Sequence, residues 1–261
     1  MSGNKVDLTI FVPCYNEERL ILKTLDSIRE AAAGLPLDYE VLVYDDASTD
    51  ASARLVADYI RQNRLEDRFS LKVNERNQGV GRNYFNAARA GRGEYMVVFC
   101  GDNAEPADAM RKILNLIGKA DVIIPYVDTH LFDMRFNSDH RRFSRRLISL
   151  LYAFIVRTLS GHNIRYFNSA TVHKRENVLK YATDTFGYGY QAELLCRVLD
   201  DPATTFLEVK FANNDRTEGK AKAFRLKNIA SVCGSLWRIL RRRLEWKPPR
   251  PGSGAPAPHQ R

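Results

Sequence analysis

The chain has 261 residues, of which 44% are hydrophobic and 27% are charged, with a formal net charge of +9, as expected for one large globular domain or at most two. Its four cysteines lie far apart and form no CxxC pair, which argues against a zinc site or a disulfide framework and suits a reducing cytoplasm. The N-terminus lacks the basic-then-apolar order of a signal peptide. The longest apolar run, ten residues from Leu147, is shorter than the roughly 18 that a membrane-spanning helix needs.

Strand and helix patterns alternate over the first 125 residues. Short runs rich in β-branched and aromatic side chains predict strands at 7–13, 39–46, 70–75, 95–100 and 121–125. Apolar residues at helical spacing predict helices at 16–34, 48–63 and 106–119, and a glycine-rich segment, 77–91, separates the third strand from the fourth. This alternation predicts an α/β fold with a mainly parallel, doubly wound sheet.

The rhythm changes after Pro125. A polar loop leads to an apolar helix at 144–159, a strand-like segment at 166–174, a helix at 191–199, a strand at 204–211 and a final helix at 224–244. We expect a catalytic domain over 1–222, with a nucleotide-binding half at about 6–125 and an acceptor half at about 126–222. A C-terminal amphipathic helix at 223–246 and a Pro/Gly-rich, disordered tail at 247–261 complete the prediction.

Three predicted strands end in polar turns: "FVPCYNEE", "VYDDASTD" and "FCGDNAEP". The carboxyl ends of parallel strands meet at one edge of the sheet, where open α/β sheets bind their ligands. Each turn alone has a simpler interpretation, since Glu17 suits a helix start and Asp45 with Asp46 suits a local cap. Their repetition at consecutive strand ends favours a ligand site.

These turns, together with "NQGVGRNYFNAARAGRGEYMVV", resemble the family 2 inverting glycosyltransferases, whose nucleotide-sugar-binding domain has the glycosyltransferase A-type (GT-A) fold. The later segments "RRFSRRLISLLYAFIVRTLSGHNIRYFNSATVHKREN" and "RTEGKAKAFRLKN" are similar to the polyprenyl (dolichol) phosphate mannose synthase branch. The resemblance covers about Val6 to Leu240 and follows five motifs in order. It implies transfer of a sugar from a GDP- or UDP-sugar to a polyprenyl phosphate.

The resemblance also assigns the nucleotide-binding residues. The base of the donor would be bound by Asp45 or Asp46, and Tyr15 is able to stack on it. The full set implied for the nucleotide is Pro13, Tyr15, Glu17, Asp45, Asp46, Gly79 and Gly81.

A divalent cation is implied at the end of the fourth strand. Asp102 occupies the second acidic position of the family's DxD motif, but Cys100 replaces the first acid and Ala104 replaces a frequent glutamine. Mg²⁺ or Mn²⁺ takes oxygen ligands and draws many of them from phosphates and water, so one or two carboxylates suffice. Asn103 and Glu105 are the candidates that would compensate for the missing acid.

The resemblance implies basic side chains that contact the donor diphosphate and others that contact the lipid-phosphate acceptor. Arg216 and Lys222 match a basic loop of the mannose synthase branch and would clamp the diphosphate of the donor together with Asp102. Four arginines before an apolar helix are expected to contact the lipid phosphate or headgroups, namely Arg141, Arg142, Arg145 and Arg146. The simpler interpretations are a solvated basic loop and arginines that only flank a surface helix.

Glu193 is the candidate base for a hydroxyl acceptor, with an ordinary position on a helix surface as the alternative. A phosphate acceptor needs no base, because its second pKa of about 6 leaves it mostly dianionic at neutral pH. The main alternatives are therefore a family 2 enzyme acting on a glycan or glycolipid hydroxyl, and a non-catalytic relative. A sugar-1-phosphate nucleotidyltransferase should instead carry a glycine-rich basic loop after the first strand.

The positive charge is concentrated in two segments. Residues 211–261 hold 12 Lys or Arg and 3 Asp or Glu, and residues 141–165 hold six Arg and no acid. An acidic body with two basic segments favours a local anionic partner over nucleic acid. In the final helix an apolar stripe predicts attachment to an anionic membrane surface, with packing on the sheet as the alternative; its members are Ile229, Val232, Cys233, Leu236, Trp237, Leu240 and Leu244. We expect a cytoplasmic protein that is peripheral to the inner face of the membrane.

Overall fold

A computed structural model of the chain describes residues 6–127, 143–185, 187, 189–211 and 226–245, with side chains at all of these positions except 143–145 and 226–231. Its strands are β1 Leu8–Cys14, β2 Tyr39–Asp45, β3 Phe69–Val73, β4 Tyr95–Val98, β5 Val122–Val127, β6 Val172–Lys174 and β7 Phe206–Phe211. Its helices are α1 Ile21–Ala32, α2 Ser52–Gln62, α3 Val80–Ala90, α4 Ala107–Leu114, α5 Phe143–Ser160, α6 Arg175–Lys180, α7 Tyr190–Leu199 and α8 Leu226–Glu245.

The seven strands form one sheet in the order β3-β2-β1-β4-β6-β5-β7. The neighbours of β1, which are β2 and β4, both run parallel to it, and β6 is antiparallel to β4 and β5. The predicted mainly parallel, doubly wound α/β sheet is therefore confirmed. The carboxyl ends of β1, β2 and β4 meet at one edge, as the three polar turns require.

Alternate residues of the central strands pack into two hydrophobic cores on opposite faces of the sheet. Ile10 and Val43 belong to the core beneath α1, α2 and α4, while Phe11 and Tyr44 belong to the core beneath α3, α5 and α7. Every residue of β2 and β4 is buried. The mostly apolar sequence of these strands is explained by helices covering both faces of the sheet, and the exceptions in β2 are the buried acids Glu40 and Asp45.

Three segments differ from the sequence-based prediction. The glycine-rich segment 77–91 contains a helix, α3, and residues 175–180 form the short helix α6, neither of which was predicted. Of the strand predicted at 166–174, only β6 is present. The glycines of this segment favoured a loop over a helix in the sequence-based prediction. Its buried side chains Tyr84, Phe85 and Ala88 nevertheless lie on one side of α3 and pack in the second core.

The first two helices begin later than predicted, at Ile21 and Ser52. Residues before α1 are held in turns, with Asn16 at a φ of 54°, a left-handed conformation that an α-helix does not contain. The backbone N–H groups of Asn16 and Glu17 are bound in this turn by the side chains of Ser48 and Ser52.

His173 lies in β6, where it faces Met96 of β4 and Val122 of β5 in the strand register. It is 3% exposed, and its Nδ1 has no hydrogen-bond partner among the described residues. Burial lowers the pKa of His173 from 6.5 to about 3, because the charged imidazolium is excluded from the apolar interior. The folded protein therefore holds this ring neutral.

We predict that His173 makes the fold sensitive to acid. The unfolded chain takes up a proton near pH 6.5 and the folded chain does not until about pH 3, so the free energy of unfolding falls as pH falls through this window. Between pH 6.5 and 5 the loss should be about 2 kcal/mol in the wild type and smaller in His173→Gln. Urea unfolding at several pH values measures it, and an equal loss in both proteins would contradict the assignment.

Candidate functional site

The turns after β1 and β2 are joined by reciprocal hydrogen bonds. The backbone N–H of Asn16 donates to Ser48 Oγ at 2.9 Å, and Asn16 Oδ1 accepts from the backbone N–H of Thr49 at 2.8 Å. The backbone N–H of Glu17 donates to Ser52 Oγ at 2.9 Å. These bonds hold the half-buried side chains of Tyr15 and Glu17 at the edge predicted to bind the nucleotide. The simpler interpretation, that Asn16 and Glu17 open a helix, holds in part: the carbonyl oxygen of Glu17 accepts from the backbone N–H of Ile21 at 2.9 Å, whereas Asn16 has a left-handed conformation outside α1.

Asp46 anchors the glycine loop to the end of β2. Its Oδ1 accepts from Asn74 Nδ2 at 2.9 Å and from the backbone N–H of Gln78 at 2.8 Å, and its Oδ2 accepts from the backbone N–H of Gly79 at 2.9 Å. Gly79 has a φ of 86°, which side chains rarely adopt, so the loop requires glycine there. Gly81, the second glycine of the pair, is buried in the first turn of α3. Asp46 therefore fixes the backbone that is predicted to approach the nucleotide.

Asp45 keeps an unused acceptor. It is 1% exposed, and its Oδ1 accepts from the backbone N–H of Ser48 at 2.9 Å, which is the local turn that the sequence allows. Its Oδ2 is buried and has no hydrogen-bond partner among the described residues. A local cap explains only one of the two oxygens. Of the two acids offered for the base, Asp45 is thus the one with an acceptor that the surrounding turns leave unoccupied.

The position of Asp102 depends on the close approach of Gly101 to β1. The backbone N–H of Gly101 donates to the carbonyl oxygen of Pro13 at 3.2 Å. A Cβ at position 101 would lie 2.8 Å from that oxygen and 3.1 Å from Ile21 Cδ1, which leaves no room for a side chain. Glycine at this position therefore brings the half-buried Asp102 beside the end of β1, next to the predicted nucleotide site.

Asn103 is turned towards α1. Its backbone N–H donates to Thr24 Oγ1 at 3.0 Å, and its Oδ1 accepts from Ser27 Oγ at 3.1 Å. Its φ of 51° is of the left-handed kind that asparagine tolerates. The side-chain oxygen that would ligate a cation is thus engaged with α1 in this structure, and the role of Asn103 as a ligand stays a prediction.

Glu105 lies close enough to Asp102 for their charges to interact. Burial, and then the negative charge of Asp102, raise the pKa of Glu105 to about 8, and its Oε2 accepts from the backbone N–H of Cys100 at 3.4 Å. A divalent cation would relieve the repulsion between these carboxylates, so the pair fits Mg²⁺ or Mn²⁺ better than the thiol of Cys100 does. In the described ranges no group of three His, Cys, Asp or Glu side chains is arranged to hold a metal. The remaining ligands would have to come from phosphates, from water or from residues outside the described ranges.

Glu193 is buried between α7 and α8 and does not lie on a helix surface. It is 2% exposed; its Oε1 accepts from Arg197 Nη2 at 2.8 Å, and its Oε2 accepts from Thr185 Oγ1 at 2.6 Å and from Arg238 Nε at 2.9 Å. Arg238 also donates from Nη2 to Thr185 Oγ1 at 2.7 Å. The surface alternative is wrong, and the carboxylate joins α7 to α8.

A second charged contact between the same helices lies next to the first. Asp200 accepts from Arg242 Nε at 2.5 Å, and its Oδ1 lies 2.9 Å from His162 Nε2. Burial alone would raise the pKa of Asp200, but the hydrogen bonds from His162 and Arg242 hold it below its ordinary value. A small cavity remains between the two contacts, and it is lined by both acids, by Cys196 and by arginines of α7 and α8.

The predicted cations lie mostly outside the described residues. Arg216, Lys222, Arg141 and Arg142 fall there, and the side chain of Arg145 does as well. Arg146 is described and is 5% exposed, on the inner side of α5. Its burial contradicts the simpler interpretation that this arginine only flanks a surface helix. The clamp and acceptor roles of these cations stay predictions.

Comparison with known proteins places this site in a family. The model described as "Glycosyl transferase family 2" matches residues 9–194. A dolichyl-phosphate beta-glucosyltransferase of Dictyostelium discoideum is 26% identical over 171 residues, which are 62% of this chain and 52% of the relative. A poly(ribitol-phosphate) beta-glucosyltransferase of Bacillus spizizenii is 30% identical over 108 residues, 41% of this chain and 17% of the relative. The chain thus matches about half, or less, of the length of these relatives.

Solved glycosyltransferases share the fold. S. aureus TarS (residues 1–349) in complex with UDP-GlcNAc superposes with a TM-score of 0.59 at 15% identity, covering 92% of this chain and 72% of TarS. Glucosyl-3-phosphoglycerate synthase from Mycobacterium tuberculosis in complex with Mg²⁺ and UDP gives a TM-score of 0.62 at 18% identity, with 90% and 80% covered.

The sheet order, the polar turns at three adjacent strand ends and these neighbours define a glycosyltransferase of the GT-A fold. The chain belongs to glycosyl transferase family 2, since the family model spans well over half of it.

We predict that Glu193→Gln acts mainly on stability. Removing the charge leaves Arg197 and Arg238, whose side chains are 28% and 44% exposed, with a neutral amide as their partner, which should lower the free energy of unfolding by about 1 to 2 kcal/mol. Chemical denaturation measures the change. Glu245→Gln, at the exposed pair with Arg241 on α8, is the control and should leave the denaturation midpoint unchanged. Wild-type stability with lost turnover would instead identify Glu193 as a base.

Proposed function

We propose that this enzyme transfers a sugar with inversion from a nucleoside diphosphate to a polyprenyl phosphate at a membrane surface. An oxygen of the lipid phosphate forms the new bond to the anomeric carbon while the bond from that carbon to the diphosphate oxygen breaks. The nucleoside diphosphate leaves with the bonding electron pair. The product is a sugar-1-phosphoryl lipid, and no proton has to be removed from a dianionic acceptor.

The state of Glu193 is the observation that carries the choice of acceptor. A hydroxyl acceptor needs a base within hydrogen-bond reach, whereas a phosphate dianion needs only positioning and neutralised charge. Both oxygens of Glu193, the acid nearest the family's usual base position, are occupied by two arginines and a threonine. This arrangement suits the phosphate acceptor. The Dictyostelium relative, named for dolichyl phosphate, supports the same choice.

At the donor end, Asp102 and Glu105 would hold the cation. When bound, Mg²⁺ or Mn²⁺ would neutralise the charge that builds on the departing diphosphate. Asp45, Tyr15 and Glu17 lie where the nucleoside is expected, and Arg216 with Lys222 would add positive charge to the leaving group. The solved relatives contain UDP or UDP-GlcNAc, which favours a UDP-sugar over a GDP-sugar.

Attachment to the membrane would be peripheral. In the described part of the chain, no helix combines the length and hydropathy needed to cross a bilayer. A lipid-phosphate acceptor carries its phosphate at the bilayer surface, so an enzyme of this kind has to meet it there.

The acceptor is tested with a matched pair of lipids. With UDP-glucose or GDP-mannose and Mn²⁺, we expect sugar transfer to a short-chain polyprenyl phosphate and none to the polyprenol of equal chain length, because only the phosphate is already ionised. Radiolabelled transfer read by chromatography measures both. Transfer to the alcohol, or to a polyol phosphate hydroxyl with the lipid phosphate inert, would favour the hydroxyl-acceptor alternative and contradict the proposal.

The metal site is tested by Asp102→Asn and Cys100→Ala. Loss of the Asp102 charge should reduce turnover at least a hundredfold, as loss of a main charge-stabilising group does, and should weaken Mn²⁺-dependent UDP binding. Cys100→Ala should change both less than about threefold, since a neutral thiol contributes little to a hard cation. Steady-state rates and calorimetry measure these effects. Wild-type turnover in Asp102→Asn, or an inactive but folded Cys100→Ala, would contradict this site.

A further inference from the structure

Helix α5 is apolar on the side that faces away from the protein. Leu147, Leu151 and Phe154 follow one another at positions i, i+4 and i+7 and are 49%, 56% and 64% exposed. The opposite side of the helix is also apolar, with Ala153 and Val156 buried in the second core. An α-helix at the surface of a soluble protein normally carries polar residues on its outer side, so this outer stripe indicates a contact surface.

The apolar stripe predicted in α8 divides between two directions. Ile239, with Leu236 beside it, packs into the same core as α5. Trp237 and Leu244 point outwards and are 63% and 75% exposed. The two alternatives for this helix, packing on the protein and facing a membrane, therefore apply to different edges of it.

We call the exposed apolar residues of these two helices the outer face: Leu147, Leu151, Phe154, Trp237 and Leu244. The helices pack against each other, and the guanidinium of Arg243 lies against Gly161, just after the end of α5. The ion pairs of Arg238 with Glu193 and of Arg242 with Asp200 hold α8 against α7. In that position Ile239 is buried, while Trp237 and Leu244 remain exposed.

The charges on these helices indicate what covers the outer face. The sequences of α5 and α8 contain eight Lys or Arg and a single acid, Glu245. Three of these arginines contact acids and Arg146 is buried, so the positive surplus at the surface is smaller, and it includes the exposed Arg157 and Arg243. Basic helices with outward aromatic and aliphatic side chains suit an anionic lipid surface, where apolar groups enter the boundary region and cations meet the headgroups. A second copy of the chain would bring the same positive charges together, which is unfavourable.

We propose that the outer face is a docking surface for an anionic bilayer, with α5 as its main apolar contact and α8 as its second. The proposal rests on the proposed function in one respect, namely that a lipid acceptor gives the enzyme a reason to dock. It differs from the sequence-based prediction by moving the principal contact from α8 to α5.

Flotation with vesicles tests the proposal directly. The wild type should bind vesicles of phosphatidylcholine with phosphatidylglycerol, should bind more weakly at high salt, and should bind poorly to phosphatidylcholine alone. The double variant Leu151→Gln/Phe154→Gln should lose about tenfold or more of the partitioning. The matched control is Val73→Gln on β3, since Val73 is 56% exposed, as Leu151 is, and lies on another element. Equal binding of both variants, or no binding by the wild type, would overturn the proposal.

A second measurement does not depend on how the double variant folds. In Trp246→Phe, Trp237 is the remaining tryptophan of the two in the chain, and brominated lipid in the vesicles should quench its emission. Unquenched emission in the presence of bound vesicles would exclude α8 from the contact. Sedimentation velocity tests the alternative occupant, a second copy of the chain. If the wild type binds no vesicles but forms a dimer that Leu151→Gln/Phe154→Gln dissociates, the outer face is a self-association surface.

The failures of the two proposals can be told apart. If both hold, the double variant keeps transfer to a water-soluble, short-chain polyprenyl phosphate and loses transfer to a long-chain lipid in vesicles. If the wild type floats but transfers sugar to no polyprenyl phosphate, the proposed function is wrong and the docking surface stands. If transfer in vesicles is unchanged in the double variant, the docking surface is wrong and the function stands.

Discussion

β1 lies between β2 and β4 in parallel register, and this pairing determines where the candidate ligand-binding side chains meet. Because all three strands end at the same edge, turns that are distant in sequence come within hydrogen-bond reach of one another. The backbone N–H of Asp46 donates to the carbonyl oxygen of Cys14, and that of Gly101 to Pro13, so both neighbouring turns are attached to the last residues of β1. A shift in the register of β1 would separate the nucleotide side of the site from Asp102.

The second constraint is the buried charge between α7 and α8. Glu193 lies in α7 and Asp200 directly follows it, and each is paired with an arginine of α8. Removing a buried charge from water is costly unless it is paired, so the helices are held at a defined position and rotation. The same contact has two functional consequences. It occupies both oxygens of Glu193, the candidate base, and it holds α8 with Ile239 inwards and Trp237 exposed.

The central sheet was predictable because its information is local. β1, β2 and β4 are mostly apolar runs followed by polar turns, and each can be identified without knowing its neighbours. The turn before α1 was not predictable, because its left-handed Asn16 is bound by side chains that follow β2 in the chain. The three residues of β6 are selected by antiparallel pairing with β4 and β5 rather than by their own pattern.

In the candidate site, too, some features follow from the local sequence and others depend on residues far away in the chain. Asp102 and Gly101 could be placed at the end of a buried strand from sequence, and the resemblance named the acids after β2. Which of Asp45 and Asp46 retains an acceptor depends on the glycine loop some thirty residues further along the chain. The saturation of Glu193 depends on Arg238, 45 residues away, and no periodicity in α7 indicates it.

α5 brings the proposed membrane contact and the proposed acceptor contact together. Within one turn of this helix, Arg146 is buried on the inner side while Leu147 is 49% exposed on the outer side. A polyprenyl phosphate has the same division, with a charged phosphate at one end and an apolar chain along the rest. If α5 lies on the bilayer with its outer side in contact with the lipid, its exposed apolar residues are near the lipid chains. The buried guanidinium of Arg146 then lies on the protein side, where the phosphate of the acceptor is expected to bind. The inner side of α5 is otherwise apolar at Ala153 and Val156, so the buried Arg146 is the feature of this helix that relates the proposed docking of the enzyme to the proposed acceptor contact.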